Sequence, residues 1–265
     1  MLSYEIPIIA SSDPNNGAEN VSSDGSSFDI RLEDPLFFPD NLETCYVTTE
    51  DSTVWWTVPN ISALLGNNMF YIEYNAVNYM ITLPDGLYAL SDLNNALDRE
   101  ITSATGVAGL INLEADNATQ KVSITLNVAT IQIDFTQNDT FRDILGFNSQ
   151  LIPDPNPSVG SYTMLGNNVA SFNSIEYFVL HSDIVPQGIR QNNSFTQVIA
   201  KIPINVSPGS QIVFTPFNPP KVPAHNLRGS TIDRIRFWLT DQNNNLVNTN
   251  TETYSCRLNI KYTLK

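Results

Sequence analysis

The chain has 265 residues, room for one large β-domain or one such domain carrying an insertion, and its 42% hydrophobic and 10% aromatic content can build a core without staples. Only 15% of residues are charged and the formal net charge is −14, so the chain repels a phosphate backbone, and direct nucleic-acid binding is excluded. No run reaches the ~18 apolar residues needed to cross a bilayer, so no membrane span is predicted.

Residues 1–7 carry neither the basic region nor the apolar stretch of a secretion signal, which predicts synthesis in the cytoplasm without secretion. In that setting the Asn-x-Ser/Thr triplets at Asn20, Asn60, Asn117, Asn138, Asn192 and Asn205 reflect a chain rich in Asn and Thr rather than glycan sites. Two cysteines, Cys45 and Cys256, are too few for a disulfide framework and have no zinc spacing, so they are expected as packed thiols.

The charge is distributed unevenly. Residues 1–100 hold 16 acids and 2 bases, which leaves 27 − 16 = 11 acids and 13 − 2 = 11 bases for residues 101–265. The tail from 221 is locally basic, with Lys221, Arg228, Arg234, Arg236, Arg257, Lys261 and Lys265 against three acids. Complementary ends can pair within one subunit or between neighbours. Strands from the two ends of a sandwich chain often meet in one sheet, which favours pairing within the subunit.

In chain order, residues 1–27 read as an N-terminal arm: a small apolar patch at Ile6, Ile8 and Ile9, then a polar stretch without periodicity. Phe28, Ile30 and Leu32 alternate with Asp29, Arg31 and Glu33 as a half-buried strand. Residues 45–49 and 54–58 are β-branched and aromatic runs that flank a predicted turn at Glu50-Asp51-Ser52. Residues 69–74 and 79–83 predict a hairpin around Asn75 to Asn78.

A helix follows, with Leu90, Leu93, Leu97 and Ile101 at helical spacing and Ser91 as the expected N-cap. A second hairpin brackets residues 115–118, Ile131, Ile133 and Phe135 alternate as a strand, and residues 140–146 predict a short helix stopped by Gly146. After a link containing Pro153, Pro155, Pro157 and Gly160 the pattern is almost purely β, with strands at 174–181, 196–205, 211–216, 232–240 and 254–264. Many short strands with few helices predict a mainly β fold, a jelly-roll β-sandwich built from residues 28–67 and 148–265, with a small α/β insertion at 68–147.

Chemistry is poorly served by these residues. His181 and His225 are the only histidines and neither has a companion at ligand spacing, so no catalytic residue, metal site or cofactor is predicted. Asp241, Asn243, Asn245 and Glu252 fall at positions 1, 3, 5 and 12 of a calcium-loop frame, but Leu246 stands where that frame needs glycine. A hairpin tip joining the last two strands is the better reading. Glu73 and Glu176 are the acids a sandwich glycosidase would use. Trp55, Trp56 and Trp238 are the platforms a carbohydrate- or receptor-binding module would use, although tryptophans in a sandwich more often serve the core.

The order of segments carries a family resemblance. The run Ile81-Thr-Leu-Pro-Asp-Gly-Leu-Tyr-Ala-Leu-Ser-Asp-Leu-Asn-Asn-Ala-Leu, a hairpin, Thr140-Phe-Arg-Asp-Ile-Leu-Gly-Phe147 and the closing Ile235-Arg-Phe-Trp-Leu-Thr-Asp-Gln-Asn-Asn-Asn resemble the penton (vertex) capsid proteins of polinton-like viruses and virophages. The match takes in residues 68–265, and Asn245 stands where glycine is expected at the hairpin tip. The resemblance implies a non-enzymatic jelly-roll subunit of an icosahedral virion. It also implies assembly as a homopentamer that contacts the major capsid protein and, at the vertex, a spike or minor capsid protein. A small major or minor capsid protein is the neighbouring reading. The residues expected to serve assembly are Ile6, Ile8 and Ile9 of the arm and the bases Arg234, Arg236, Arg257 and Lys261.

Overall fold

The computed structural model describes residues 2–265 apart from 155, 158, 174, 192 and 193, so Pro155, the expected strand start at Ser174 and the triplet at Asn192 lie outside the described residues. The chain forms two compact units, one from residues 1–58 and 175–265 and the other from residues 59–174. The first unit opens with β1 (Ser3–Ser11), β2 (Ala18–Glu19), β3 (Ser27–Phe37) and β4 (Leu42–Trp55). The second contains β5 (Met69–Tyr74), β6 (Val77–Thr82), α1 (Leu90–Thr105), β7 (Ile111–Asp116), β8 (Lys121–Leu126), β9 (Ile131–Asp134), α2 (Arg142–Leu145), β10 (Leu151–Ile152) and β11 (Tyr162–Leu165). The chain then returns with β12 (Tyr177–Ser182), β13 (Arg190–Gln191), β14 (Ser194–Phe195), β15 (Val198–Pro203), β16 (Gln211–Phe214), β17 (Val222–Pro223), β18 (Thr231–Thr240) and β19 (Ser255–Leu264).

The first unit is an antiparallel double-sheet sandwich. One sheet runs β1-β19-β4-β16, with β17 also on β4, and the other runs β15-β12-β18-β3-β2. Alternation along each strand sends Phe28, Phe178, Phe237, Leu258 and Ile260 inward, all fully buried. Phe28 and Phe237 are cross-strand partners with stacked rings 5.3 Å apart, and Trp56 meets Phe178 edge-on at 5.8 Å. The Thr49 hydroxyl donates to the Ile199 carbonyl at 3.1 Å, from β4 in one sheet to β15 in the other.

Three expectations fail in this unit for identifiable reasons. Residues 1–27 are not a free arm: all nine residues of β1 pair with β19, from Ser3 opposite Thr263 to Ser11 opposite Ser255. Ile8 and Ala10 are buried while Glu5, Pro7 and Ile9 face out, the alternation of a half-buried edge strand, where a proline is tolerated. The polar residues that follow form a short turn capped by Asp13, whose carboxylate accepts from the Asn15 N–H at 2.9 Å.

Glu50-Asp51-Ser52 is not a turn but the middle of β4. Arg257 pairs with Asp51 and Leu258 with Thr49, so Glu50 is the extra residue of a β-bulge. The bulge resets parity: Cys45, Val47 and Thr49 are buried before it, and Ser52 and Val54 after it. The polar triplet imitates a turn because two of its members face out beside Arg257.

The last two strands form no hairpin, since β18 and β19 belong to different sheets. Residues 241–254 cross between them, and the loop begins with a local knot. The Asp241 carboxylate accepts from the N–H groups of Asn243 and Asn245 at 2.8 and 2.9 Å and from the Asn245 amide at 3.1 Å. Its oxygens are spent on the turn itself.

The second unit packs two small sheets, β10-β9-β5-β6 and β11-β8-β7, with α1 around a core of its own. Leu93, Ala96, Leu97 and Ile101 form the buried stripe of α1, and the rings of Phe70 and Phe141 stack at 5.2 Å. The helix starts one residue before Ser91, with Ala89 at the cap position and no side-chain cap, and stops at Gly106 with φ 76°. The first hairpin turns on Asn75 and Ala76, both at positive φ (51° and 64°), a two-residue turn tighter than the four residues expected.

This unit also extends past both predicted boundaries, 68 and 147. The two-residue β10 and the four-residue β11 add edge strands too short to read as part of it. At the other end Asn60, 2% exposed, donates its amide to the carbonyls of Tyr88 and Phe172 at 2.9 Å each and accepts from the Tyr88 N–H at 2.9 Å. That triplet site is therefore closed to a glycan. The same bonds tie Asn60 to Phe172, near the two ends of the unit.

Candidate functional site

The residues predicted to serve assembly fall into two groups. The four bases are engaged within the chain. Arg257 meets Asp51 at 3.1 Å and Lys261 meets Glu5 at 2.8 Å, while Arg234 and Arg236 lie 3.7 and 4.0 Å from Asp29. Each pair joins an acid from the first 51 residues to a base from the last 32, across neighbouring strands. Asp29, expected in solvent, is 7% exposed and also accepts from the Asn20 amide at 2.8 Å. The exposed pairs are screened by water and set register more than they add stability.

The three isoleucines separate by parity. Ile8 is buried in the sandwich and has no surface to offer a neighbour, and Ile6 is half-buried opposite Ile260. Ile9 is 78% exposed, on the outer side of β1 opposite Arg257. It has company that the sequence reading missed: Val213 on the edge strand β16 and Phe217 in the loop after it, 66% and 106% exposed, and Phe37 at the end of β3. The signal for Phe217 was present. A large apolar residue between Pro216 and Pro219-Pro220 has no strand to bury it.

The groups with latent chemistry are held inert. Cys45 and Cys256 are both buried, and their partners across the β4–β19 ladder are Tyr262 and Ser52, so the thiols lie far apart along it. Burial raises the Cys45 thiol to about 11 and pushes Cys256 higher still. His181 is 1% exposed, its ring stacked on Trp238 at 5.1 Å and its Nε2 2.8 Å from the Thr240 hydroxyl. Burial lowers its pKa to about 4, so it is neutral at physiological pH. Among the described residues no group of three or more His, Cys, Asp or Glu could hold a metal ion.

The two candidate hydrolase acids belong to different units, Glu73 to β5 and Glu176 to the residue before β12. Glu73 lines a 440 Å³ concavity in the second unit with Tyr71, Asn78, Met80, Gln132 and Asp134. Partial burial opposes ionisation of Asp134, yet hydrogen bonds from Gln137 and Thr136 outweigh it and hold the carboxyl below its usual range. A carboxyl so held is a poor general acid. Of the tryptophans, Trp56 is core, Trp55 is half-buried on β4, and Trp238 is half-buried on the outer side of β18.

Two antiparallel sheets face to face, with an α/β body inserted in the chain between β4 and β12, define a jelly-roll sandwich. Among solved structures, the mavirus penton protein matches this chain over 100% of both chains, with a TM-score of 0.50 and 12% identity. A chain from the Sputnik virophage structure aligns over 97% of each chain with a TM-score of 0.40 and 14% identity. The first match establishes a common fold. No family model and no curated protein sequence matches the chain.

Proposed function

We propose that this chain is a structural subunit of an icosahedral virion, a vertex protein that assembles as a ring of five copies and contacts the major capsid protein around it. The observation that carries the reading is the end-to-end correspondence with the fold of a penton protein, insertion included. The distribution of sticky surface supports it. Large exposed apolar side chains sit at strand edges and loop tips of the sandwich, at Ile9, Val213 and Phe217, while its polar outer faces carry ion pairs already satisfied within the subunit. Patches of this kind on two sides of one subunit suit a heterologous contact that closes into a ring, where modest interfaces add up.

Light scattering on the purified chain tests it directly. The expected result is a species of five times the 29.4 kDa chain mass, with fivefold rings in class averages of particle images. A chain that stays monomeric at tens of micromolar, alone and mixed with major capsid protein, would overturn the proposal.

A further inference from the structure

Trp238 floors an open groove on the outer face of the β15-β12-β18-β3-β2 sheet. Asp183, Pro186, Thr196 and Gln197 line it together with Asn244 and Leu246, whose loop is tied by the Asp241 knot and by a bridge between Thr240 and Leu246. The indole stacks against the neutral His181 ring at an interplanar angle of 10°, which fixes its orientation. Two adjoining cavities of about 410 and 360 Å³ share Trp238 and Gln197 as walls. Ser27, Asp183, Arg236 and Leu246 complete the first, and His181, Pro186, Thr196 and Asn244 the second.

The chemistry of the walls narrows the ligand. The charged groups at the groove balance in number: Arg234 and Arg236 share Asp29 at 3.7 and 4.0 Å, and Asp183, whose carboxylate accepts the Arg236 backbone N–H at 2.9 Å, supplies the second negative charge beside Arg236. Two arginines against two carboxylates give the groove no net charge with which to select an ion. The remaining polar contributors are amides and hydroxyls, and at the wall of the second cavity His181 Nδ1 and Thr196 Oγ1 are buried without a hydrogen-bond partner. A neutral imidazole nitrogen can be donor or acceptor according to its tautomer, and a ligand hydroxyl can answer either. The volumes suit a ligand of one or two rings, and an indole face with a negative quadrupole favours the C–H face of a saturated ring.

We infer that the groove at Trp238 is a binding site for a neutral pyranose sugar, stacked on the indole and hydrogen-bonded by Gln197 and Asn244. This goes beyond the assembly role and does not depend on it, because every wall lies within one sandwich. A shell subunit with such a site would present a glycan receptor surface.

Saturation-transfer NMR with the methyl glycosides of galactose, glucose, mannose and N-acetylglucosamine, each in the millimolar range, tests the inference on monomer or ring alike. At least one sugar is expected to show transfer to its ring C–H protons. Trp238→Ala is expected to weaken binding by about tenfold or more, Trp238→Phe by less, and Gln197→Ala and Asn244→Ala by about threefold each. Should Trp238→Ala fail to fold, the two amide variants decide alone, since both replace side chains at the groove wall. No transfer to any of the four sugars, or transfer unchanged in the variants that fold, overturns the inference.

Discussion

Burial of the His181 imidazole strips water from its charged form, and this makes one residue a measurable part of the pH profile. Its ordinary pKa of 6.5 falls to about 4 in the folded chain, so between those values the unfolded chain binds the proton and the folded chain does not. Stability from the neutral ring is therefore complete above pH 6.5 and drains away as pH falls to 4, by about 3 kcal/mol in all. Urea midpoints measured between pH 7 and 4 are expected to fall over that window, and His181→Phe, which keeps a ring beside Trp238, is expected to flatten much of the slope. An unchanged slope in the variant would assign it to the carboxylates instead. At this scale the sequence was only half legible. His181 could be read as a structural residue ending a strand, but its neighbours Trp238, Pro186, Thr196 and Asn244 come from elements that no local pattern brings to it. The parity that splits Ile8 from Ile9 was legible in principle, and was obscured by reading the apolar patch and the polar stretch after it together as an arm.

The long β4 strand shows what an element can hide. Its hydrophobic alternation is sound on each side of Glu50 and out of phase across it, which in sequence looks like two strands and a turn; only the partner β19 reveals one strand with a bulge. Deleting Glu50 leaves Thr49 and Asp51 opposite Leu258 and Arg257 with both halves in phase, so the fold and its near-ultraviolet circular dichroism are expected to survive. Inserting one residue between Tyr46 and Val47, by contrast, is expected to throw one half of β4 onto the wrong face and to cost several kcal/mol. Replacing Glu50 with Ala leaves the extra residue in place and is expected to change stability by less than about 1 kcal/mol. Elements built from local contacts were easier to read. The stripe of α1, the Gly146 stop and the β5–β6 hairpin follow from residues close in sequence, whereas the pairing of β1 with β19 spans the whole chain. The closing loop failed for the same reason: Asp and Asn at 241–245 do make a turn, but which sheet each flanking strand joins is decided elsewhere.

For the whole molecule, the distribution of exposed apolar groups gives the assembly proposal a sharp consequence. Val213→Asp and Phe217→Asp alter side chains that the folded subunit leaves in water, so each is expected to shift unfolding by no more than about 0.5 kcal/mol. Together they are expected to reduce the scattering mass from the ring to the single chain. Loss of the fold along with the ring would mean that these side chains serve the subunit rather than its neighbours. The fold class could be read from the sequence because alternation repeats in strand after strand, and the candidate surfaces could not, because an edge is defined only once every other strand has found its partner.

Asn60 binds the carbonyl of Phe172, and a chain that leaves the sandwich after Val58 and resumes it at Ile175 therefore departs and comes back through one doorway. A body attached in this way behaves as a cassette: its size, charge and decoration can drift, or another module can take its place, while the strands on either side keep the same ends to join.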